Sequence, residues 1–322
     1  MKKNISQVND LLLKYAVGAK PFLKWVGGKG QLLHIFNKLY PTELKQNKIK
    51  NYYEPFVGGG AVFFDIAQKY EIESAYLYDI NEELILTYQV IQRDVIKLIE
   101  FLERYSKQYL KLNEAKRKEY YYQMRTNFNL QRFNIDYNKY SKNWVPRAAQ
   151  IIFLNKTCFN GLFRFNSKGE FNSPMGRYKN PKILDENNLL NVSQLLEIAV
   201  IKRADFTEIK NNITSSSFVY YDPPYRPISK TSNFTSYSKL NFKDDEQIKL
   251  ATLFNELNEL DVFQMLSNSD PKNIDPEDNF FDLIYKEYNI IRVPARRMIN
   301  SDATKRKPIN EILVTNYNIK YG

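Results

Sequence analysis

Phe218-Val219-Tyr220-Tyr221-Asp222-Pro223-Pro224-Tyr225 is the stretch that decides the fold. Its first half is a short β-branched and aromatic run, the composition of a buried strand. An acid, two prolines and an aromatic follow. Neither proline can donate to a sheet ladder, so the chain must leave the sheet there. Pro223 also restricts Asp222 to extended geometry. The result is a carboxylate, a free carbonyl and a ring held at the carboxyl end of a strand. In open α/β sheets that edge is where ligands bind.

Two acceptors side by side, the Asp222 carboxylate and the Pro223 carbonyl, suit the two protons of one exocyclic amine. Tyr225 would stack on the base that carries it. Taken alone, the octet also reads as a strand and a Pro-Pro turn that happens to contain an acid. The rest of the chain reverses that preference.

At 322 residues the chain has room for one large domain or two smaller ones. A hydrophobic content of 43% with 15% aromatics excludes a disordered protein. Lys+Arg 47 against Asp+Glu 36 leaves a net charge of +11, which favours a polyanionic partner. No apolar run approaches a membrane span, and Met1 to Asn9 is polar with no signal pattern after it. A single cysteine, Cys158, excludes an internal disulfide framework. With only His34 beside it, a Cys/His zinc site is implausible as well, so no metal is expected. These features read as a cytoplasmic protein. His34, in an apolar-periodic segment, reads as structural.

Working outward, Pro21-Phe22-Leu23-Lys24-Trp25-Val26-Gly27-Gly28-Lys29-Gly30 precedes a helix expected from about Gln31 to Leu39. Glycines beside Lys29 read equally as a close approach to an anion and as a plain turn. The spacing is not that of a phosphate-binding P-loop. Glu54-Pro55-Phe56-Val57-Gly58-Gly59-Gly60 reads as strand, glycine loop and helix start, where a ligand can meet bare backbone. A second strand, Ala75 to Asp79, ends in an acid about 20 residues beyond the loop, the spacing at which an acid meets ribose hydroxyls. Asp79 also reads as a helix cap before Asn81; the loop and the acid together favour the ribose.

From Glu82 to about Pro181 the character changes to a mostly helical insertion rich in Lys, Arg, Asn and Tyr. It ends in Asn155-Lys156-Thr157-Cys158-Phe159-Asn160-Gly161-Leu162-Phe163-Arg164-Phe165, with a hairpin tip expected at Lys168-Gly169. Cations interleaved with aromatics suit nucleic acid; a solvated hairpin over packed rings is the plain alternative. Further strands are expected at Ile198–Ile201, Val262–Leu266, Ile290–Val293 and Ile309–Thr315, with helices at Leu184–Leu196 and Lys243–Leu260. Arg226 to Lys239 reads as a flap or merely a loop. Arg296 to Lys307 reads as a basic loop that could grip phosphates. Residues 1–20 form an arm with no assignable chemistry.

The four motifs in this order resemble the alpha-class, Dam-type adenine-N6 DNA methyltransferases, including the modification methylases of DpnII/MboI-type systems. The resemblance runs from about Pro21 to the C-terminus. It implies a Rossmann-like α/β S-adenosylmethionine-dependent methyltransferase sheet with helices on both faces. The catalytic domain would be 1–82 with 184–322, and 83–183 a target-recognition subdomain with a β-hairpin. Asp222, Pro223 and Tyr225 would hold the target adenine. Trp25, Lys29, Phe56, Gly58, Gly60, Asp79, Asp205, Phe206 and Asp222 would contact S-adenosylmethionine. Lys24 would reach the first guanine of GATC and Arg164 would be a guanine reader. Phe159 would wedge or stack, Leu162 and Pro174 would touch a thymine methyl, and Asn160 and Tyr178 would lie at the bases. Phe159 departs from the tyrosine of the family's housekeeping members, which keeps stacking and drops a hydroxyl contact. Double-stranded DNA is the implied partner and a cognate restriction endonuclease system the implied setting, with no membrane. Rival readings are cytosine-N4 or RNA-adenine methylation, a non-catalytic DNA-binding protein and a nuclease. A cytosine-C5 mechanism lacks its Pro-Cys nucleophile, since Cys158 follows Thr157.

Overall fold

The computed structural model describes residues 18–226, 242–295 and 309–319. The arm up to residue 17, nearly all of the 226–239 segment and the whole basic 296–307 loop lie outside the described residues. Seven strands are described: β1 (Asn51–Glu54), β2 (Ser74–Asp79), β3 (Ala199–Arg203), β4 (Ser217–Tyr221), β5 (Phe263–Ser269), β6 (Asn289–Ala295) and β7 (Ile309–Thr315). The chain packs as two units. One comprises the chain up to Gly28, Gly58–Gln68 and Ile80–Arg203; the other comprises Lys29–Val57, Lys69–Asp79 and Ala204 onward. This division by packing is drawn on different grounds from the functional one at 83–183.

The second unit is built on a mixed sheet in the order β2-β1-β4-β5-β7-β6. β2, β1, β4 and β5 are parallel, and β7 runs antiparallel between β5 and β6. Every residue of β4 is buried. A strand covered on both faces carries a continuous apolar run instead of an alternating one, which is what Phe218 to Tyr221 spells. β1 and β4 are neighbours, and the chain winds outward from them to β2 on one side and β5 on the other. That is the topological switch point of an α/β sheet. The helix Asp244–Asn258 covers one face, sinking Leu250, Leu253, Phe254 and Leu257 into a cluster with Tyr221, Leu266, Ile312 and Val314. Asp244, Asp245 and Glu246 in its first turn suit the positive end of its dipole.

The first unit is mostly helical: Ala61–Lys69 (up to Gln68), Glu82–Leu110, Glu114–Gln131, Trp144–Thr157 and Glu186–Leu195, with β3. Asn81 caps the long helix by accepting from the Glu83 and Leu84 amides. That helix kinks at Asp94, whose φ is −137°. Buried Glu83 and Arg147 join it to the Trp144–Thr157 helix through two contacts, one of them Nε to Oε2 at 3.0 Å. The expected hairpin is reduced. Two isolated bridges, Cys158–Met175 and Phe165–Phe171, stand in for continuous strands. The tip does turn at Lys168-Gly169, with Gly169 at φ 73°. Phe163, Phe165 and Phe171 pack against one another there. His34 is exposed on its helix and takes no part in the core, which corrects the structural reading of that residue.

Candidate active site

Asp222 leaves β4 between two anchors. Ser267 on β5 donates to its Oδ1 at 3.2 Å, and the Tyr220 hydroxyl lies 2.8 Å from the same serine. Lys29 Nζ lies 2.6 Å from Asp222 Oδ1 and 2.7 Å from Oδ2, with the lysine side chain only 3% exposed. Burial raises the Asp222 carboxyl above the ordinary aspartate value, and the Lys29 ammonium and the Ser267 hydroxyl pull it partly back. Lys29 Nζ is also 4.9 Å from the centroid of the Tyr225 ring.

The turn after Asp222 is fixed from behind. Gln247, fully buried, donates through Nε2 to the Pro224 carbonyl at 3.1 Å. Arg226 forks onto Asp244 at 2.7 and 3.0 Å and reaches Asp278 at 2.5 Å. The Pro224 carbonyl is therefore engaged, whereas the Pro223 carbonyl accepts no hydrogen bond among the described residues. The prolines announced a rigid turn, but the side chains that clamp it lie 18–52 residues away and no spacing in the sequence connects them.

Along the same edge of the second unit, Phe56 follows β1 and stacks on Phe206, with centroids 5.4 Å apart and Phe242 edge-on to both. Asp79 ends β2, and its carbonyl accepts from the Ala204 amide at 3.2 Å. Since Asn81 does the capping, the cap reading of Asp79 is not needed. Asp205 caps the short turn that follows it, accepting from the Thr207 amide and hydroxyl at 3.1 and 2.7 Å. Lys29, Phe56, Asp79, Asp205, Phe206 and Asp222 thus belong to one unit. Trp25, Gly58 and Gly60 belong to the other.

There the glycines answer to the protein's own side chains. A Cβ on Gly58 would stand 2.8 Å from Trp25 Nε1. Gly60 has φ 68°, and a Cβ there would meet the Tyr88 hydroxyl at 2.5 Å, while that hydroxyl donates to the Gly58 carbonyl at 3.1 Å. Gly60→Ala is expected to cost about 1–3 kcal/mol of stability, since it strains the backbone and breaks the Tyr88 clamp. Urea denaturation measures this; an unchanged midpoint would show that the loop tolerates a side chain.

All seven expected DNA-facing residues lie in the first unit. Phe159 is 47% exposed, and Asn160 takes a positive φ of 54° that presents it outward. Arg164 is exposed, steadied by Asn172 Oδ1 at 2.9 Å. Pro174 is exposed and its carbonyl accepts from the Phe159 amide, tying the two arms of the turn. Leu162 is half-buried, and Lys24 Nζ lies 4.1 Å from the Tyr178 ring centroid. Asn155, which carried no role in the sequence reading, binds this group together. Its amide donates to the Lys24 and Gly161 carbonyls and its oxygen accepts from the Lys24 amide. Burial, then Lys24, lowers the neighbouring Lys156 amine to about 8. Cys158 is buried, which pushes its thiol up to about 12, so it is no thiolate nucleophile. Among the described residues no group of three or more His, Cys, Asp or Glu could hold a metal ion, and no helix is long and apolar enough to cross a membrane.

A mixed seven-strand α/β fold with an Asp-Pro-Pro-Tyr turn at its ligand edge defines a methyltransferase-like protein. Residues 25–299 match the model of the D12 class N6 adenine-specific DNA methyltransferases, and the chain belongs to that family. It is 51% identical over 299 residues to the type II methyltransferase M.MjaIII of Methanocaldococcus jannaschii, covering 92% of this chain and 99% of that one. Identity to the type II methyltransferase M1.LlaDCHI of Lactococcus lactis subsp. cremoris is 38%, covering 96% and 99%. A DNA adenine methylase of Haemophilus influenzae is 33% identical, covering 94% and 95%. The protein is an adenine-specific DNA methyltransferase.

Proposed function

We propose that the enzyme methylates the N6 amine of an adenine flipped out of duplex DNA, within GATC, using S-adenosylmethionine, as the modification half of a restriction–modification system in the cytoplasm. The observation that carries this reading is the Asp222 turn: a carboxylate and the Pro223 carbonyl, clamped from behind, beside an aromatic ring. The aromatic pair Phe56–Phe206 with Asp205 suits an adenine ring, and Asp79 suits ribose hydroxyls; Trp25, Lys29, Gly58 and Gly60 complete the cofactor set. S-adenosylmethionine supplies an electrophilic methyl when bound. The chain's own task is then orientation and exclusion of water. Asp222 and the Pro223 carbonyl accept the two amine hydrogens, so the nitrogen lone pair points at the electrophile. The nitrogen would take the methyl through that pair, and the proton it sheds would pass to water. Tyr225 stacking returns roughly 1–3 kcal/mol of the cost of unstacking the base.

Residues 83–183 would serve recognition and the remainder catalysis. The type II names of two relatives favour a protective role, and the net charge of +11 suits the duplex. Labelled methyl transfer to duplexes with GATC or with those bases scrambled, followed by nucleoside analysis, tests the proposal. N6-methyladenine only in the GATC duplex is the expected result. Label in both duplexes would remove the site assignment, and label in cytosine would remove the adenine reading. Arg164→Ala is expected to lose about 1–3 kcal/mol of discrimination, the worth of a bidentate guanine contact. Equal GATC preference in that variant, measured as a ratio of kcat/KM values against near-cognate sites, would reject the role.

A further inference from the structure

The pairing of Lys29 with Asp222 raises a problem that a second acid solves. Both Asp222 oxygens are within 2.7 Å of the Lys29 ammonium. On the reading proposed above, the amine needs those acceptors, and its nitrogen gains positive charge as it takes the methyl. An ammonium left on Asp222 would compete for the lone pairs and repel that charge. Lys29 must therefore withdraw. Being 3% exposed, it needs another buried anion to withdraw to.

Glu311 is placed to be that anion. It lies on β7 opposite Ser269, and Ser267 pairs with Leu313 two residues on. Paired residues of adjacent strands share a face, and residues two apart along a strand share it too. Glu311 therefore stands on the face from which Ser267 reaches Asp222. Its carboxyl feels the charges of both Lys29 and Asp222 and lies beside the Tyr225 hydroxyl. Glu311 Oε2 and the Tyr225 hydroxyl are buried beside each other, and neither closes a well-formed hydrogen bond among the described residues. A buried oxygen without a partner calls for a reason. Here the reason is a donor that arrives in the substrate-bound state.

We infer that Glu311 is a positioning residue that receives the Lys29 ammonium when the target amine takes Asp222. Lys29 would swing across the Tyr225 ring, near which its Nζ already lies. The inference rests on the proposed role of Asp222 and adds a step to it.

Single-turnover methyl transfer into the substrate duplex, with enzyme in excess, tests this in a double-mutant cycle. Glu311→Gln keeps size and removes charge. Its rate is expected to fall about tenfold, a coupling ordinary for residues that share a partner, with cofactor and duplex affinities unchanged. In a Lys29→Met background no ammonium competes for Asp222, so Glu311→Gln should cost nothing further, or restore rate by relieving two facing carboxylates. The side-chain 15N signal of Lys29 should move on duplex binding in the native enzyme and stay in place in Glu311→Gln. A native rate in Glu311→Gln, or an equal loss in both backgrounds, would overturn the inference. Failure of the native enzyme to methylate adenine would instead strike the proposed function, a separate and prior outcome.

Discussion

Asp222→Ala is expected to lower methyl transfer by about 10²–10³-fold, the size of losing one preorganised electrostatic partner of a reacting group, while duplex affinity stays as it is. The separation follows from where the residue stands. Asp222 leaves a central strand, held by Ser267 and Lys29, with its turn clamped by Gln247 and Arg226. The residues assigned to the duplex lie on other segments, from Lys24 and from Phe159 to Tyr178. Removing the carboxylate would take away one of the two acceptors proposed to orient the amine, and the only negative charge of the pair. The Pro223 carbonyl remains, so residual turnover is expected above the uncatalysed reaction. Electrophoretic shifts and single-turnover rates on the same preparation separate binding from chemistry. Native rates in the variant, or loss of duplex binding equal to the loss of rate, would defeat the assignment.

Glu83→Ala is expected to destabilise the protein by about 3–5 kcal/mol, because it strands a buried guanidinium. Arg147 is 1% exposed, and its side chain spends every edge locally. Nε donates to Glu83 Oε2 at 3.0 Å, Nη1 donates to the Phe128 carbonyl, and the guanidinium carbon lies 3.4 Å from the Phe128 ring centroid. Glu83 also accepts from the Tyr137 hydroxyl at 2.7 Å. Glu83 and Arg147 together thus gather three helices and the segment that leads into the third. Its loss leaves a positive charge with no route to water. Replacing both partners, as in Glu83→Met with Arg147→Met, should cost far less, since no charge remains to strand. Equilibrium denaturation compares the two; equal costs would mean that packing volume and not charge holds the helices there.

The sheet was largely legible because its strands carry their own boundaries. Phe218 to Tyr221 is a run that only a doubly covered strand would bear, and Pro223 fixes where it stops. Asp79 and the acid of the quoted turn announce themselves as strand-terminal carboxylates. The segment from Asn155 to Lys179 was legible as a string of cations and aromatics, although the two isolated bridges that replace its expected ladder were not. What stayed hidden depends on contacts between distant segments. Lys29 and Asp222 are 193 residues apart, so nothing local hints that they meet. Glu311 is a lone acid in a strand of Ile, Leu and Val, where alternation alone would place it facing water. Asn155 and Gln247 have no distinctive neighbours either; their roles come from which backbone carbonyl the fold sets within reach.

The antiparallel position of β7 has a bearing on how the protein is made. β7 is the last of the described strands in chain order, yet it fills a slot between β5 and β6. On a ribosome, β5 and β6 emerge first, each with an edge waiting for a partner not yet synthesised. Two such edges are templates for mispairing with other chains. Because Glu311 arrives with β7, the acid beside Lys29 and Tyr225 is delivered after the other described strands. A nascent chain can bury most of its sheet and still lack that acid until translation has passed β7.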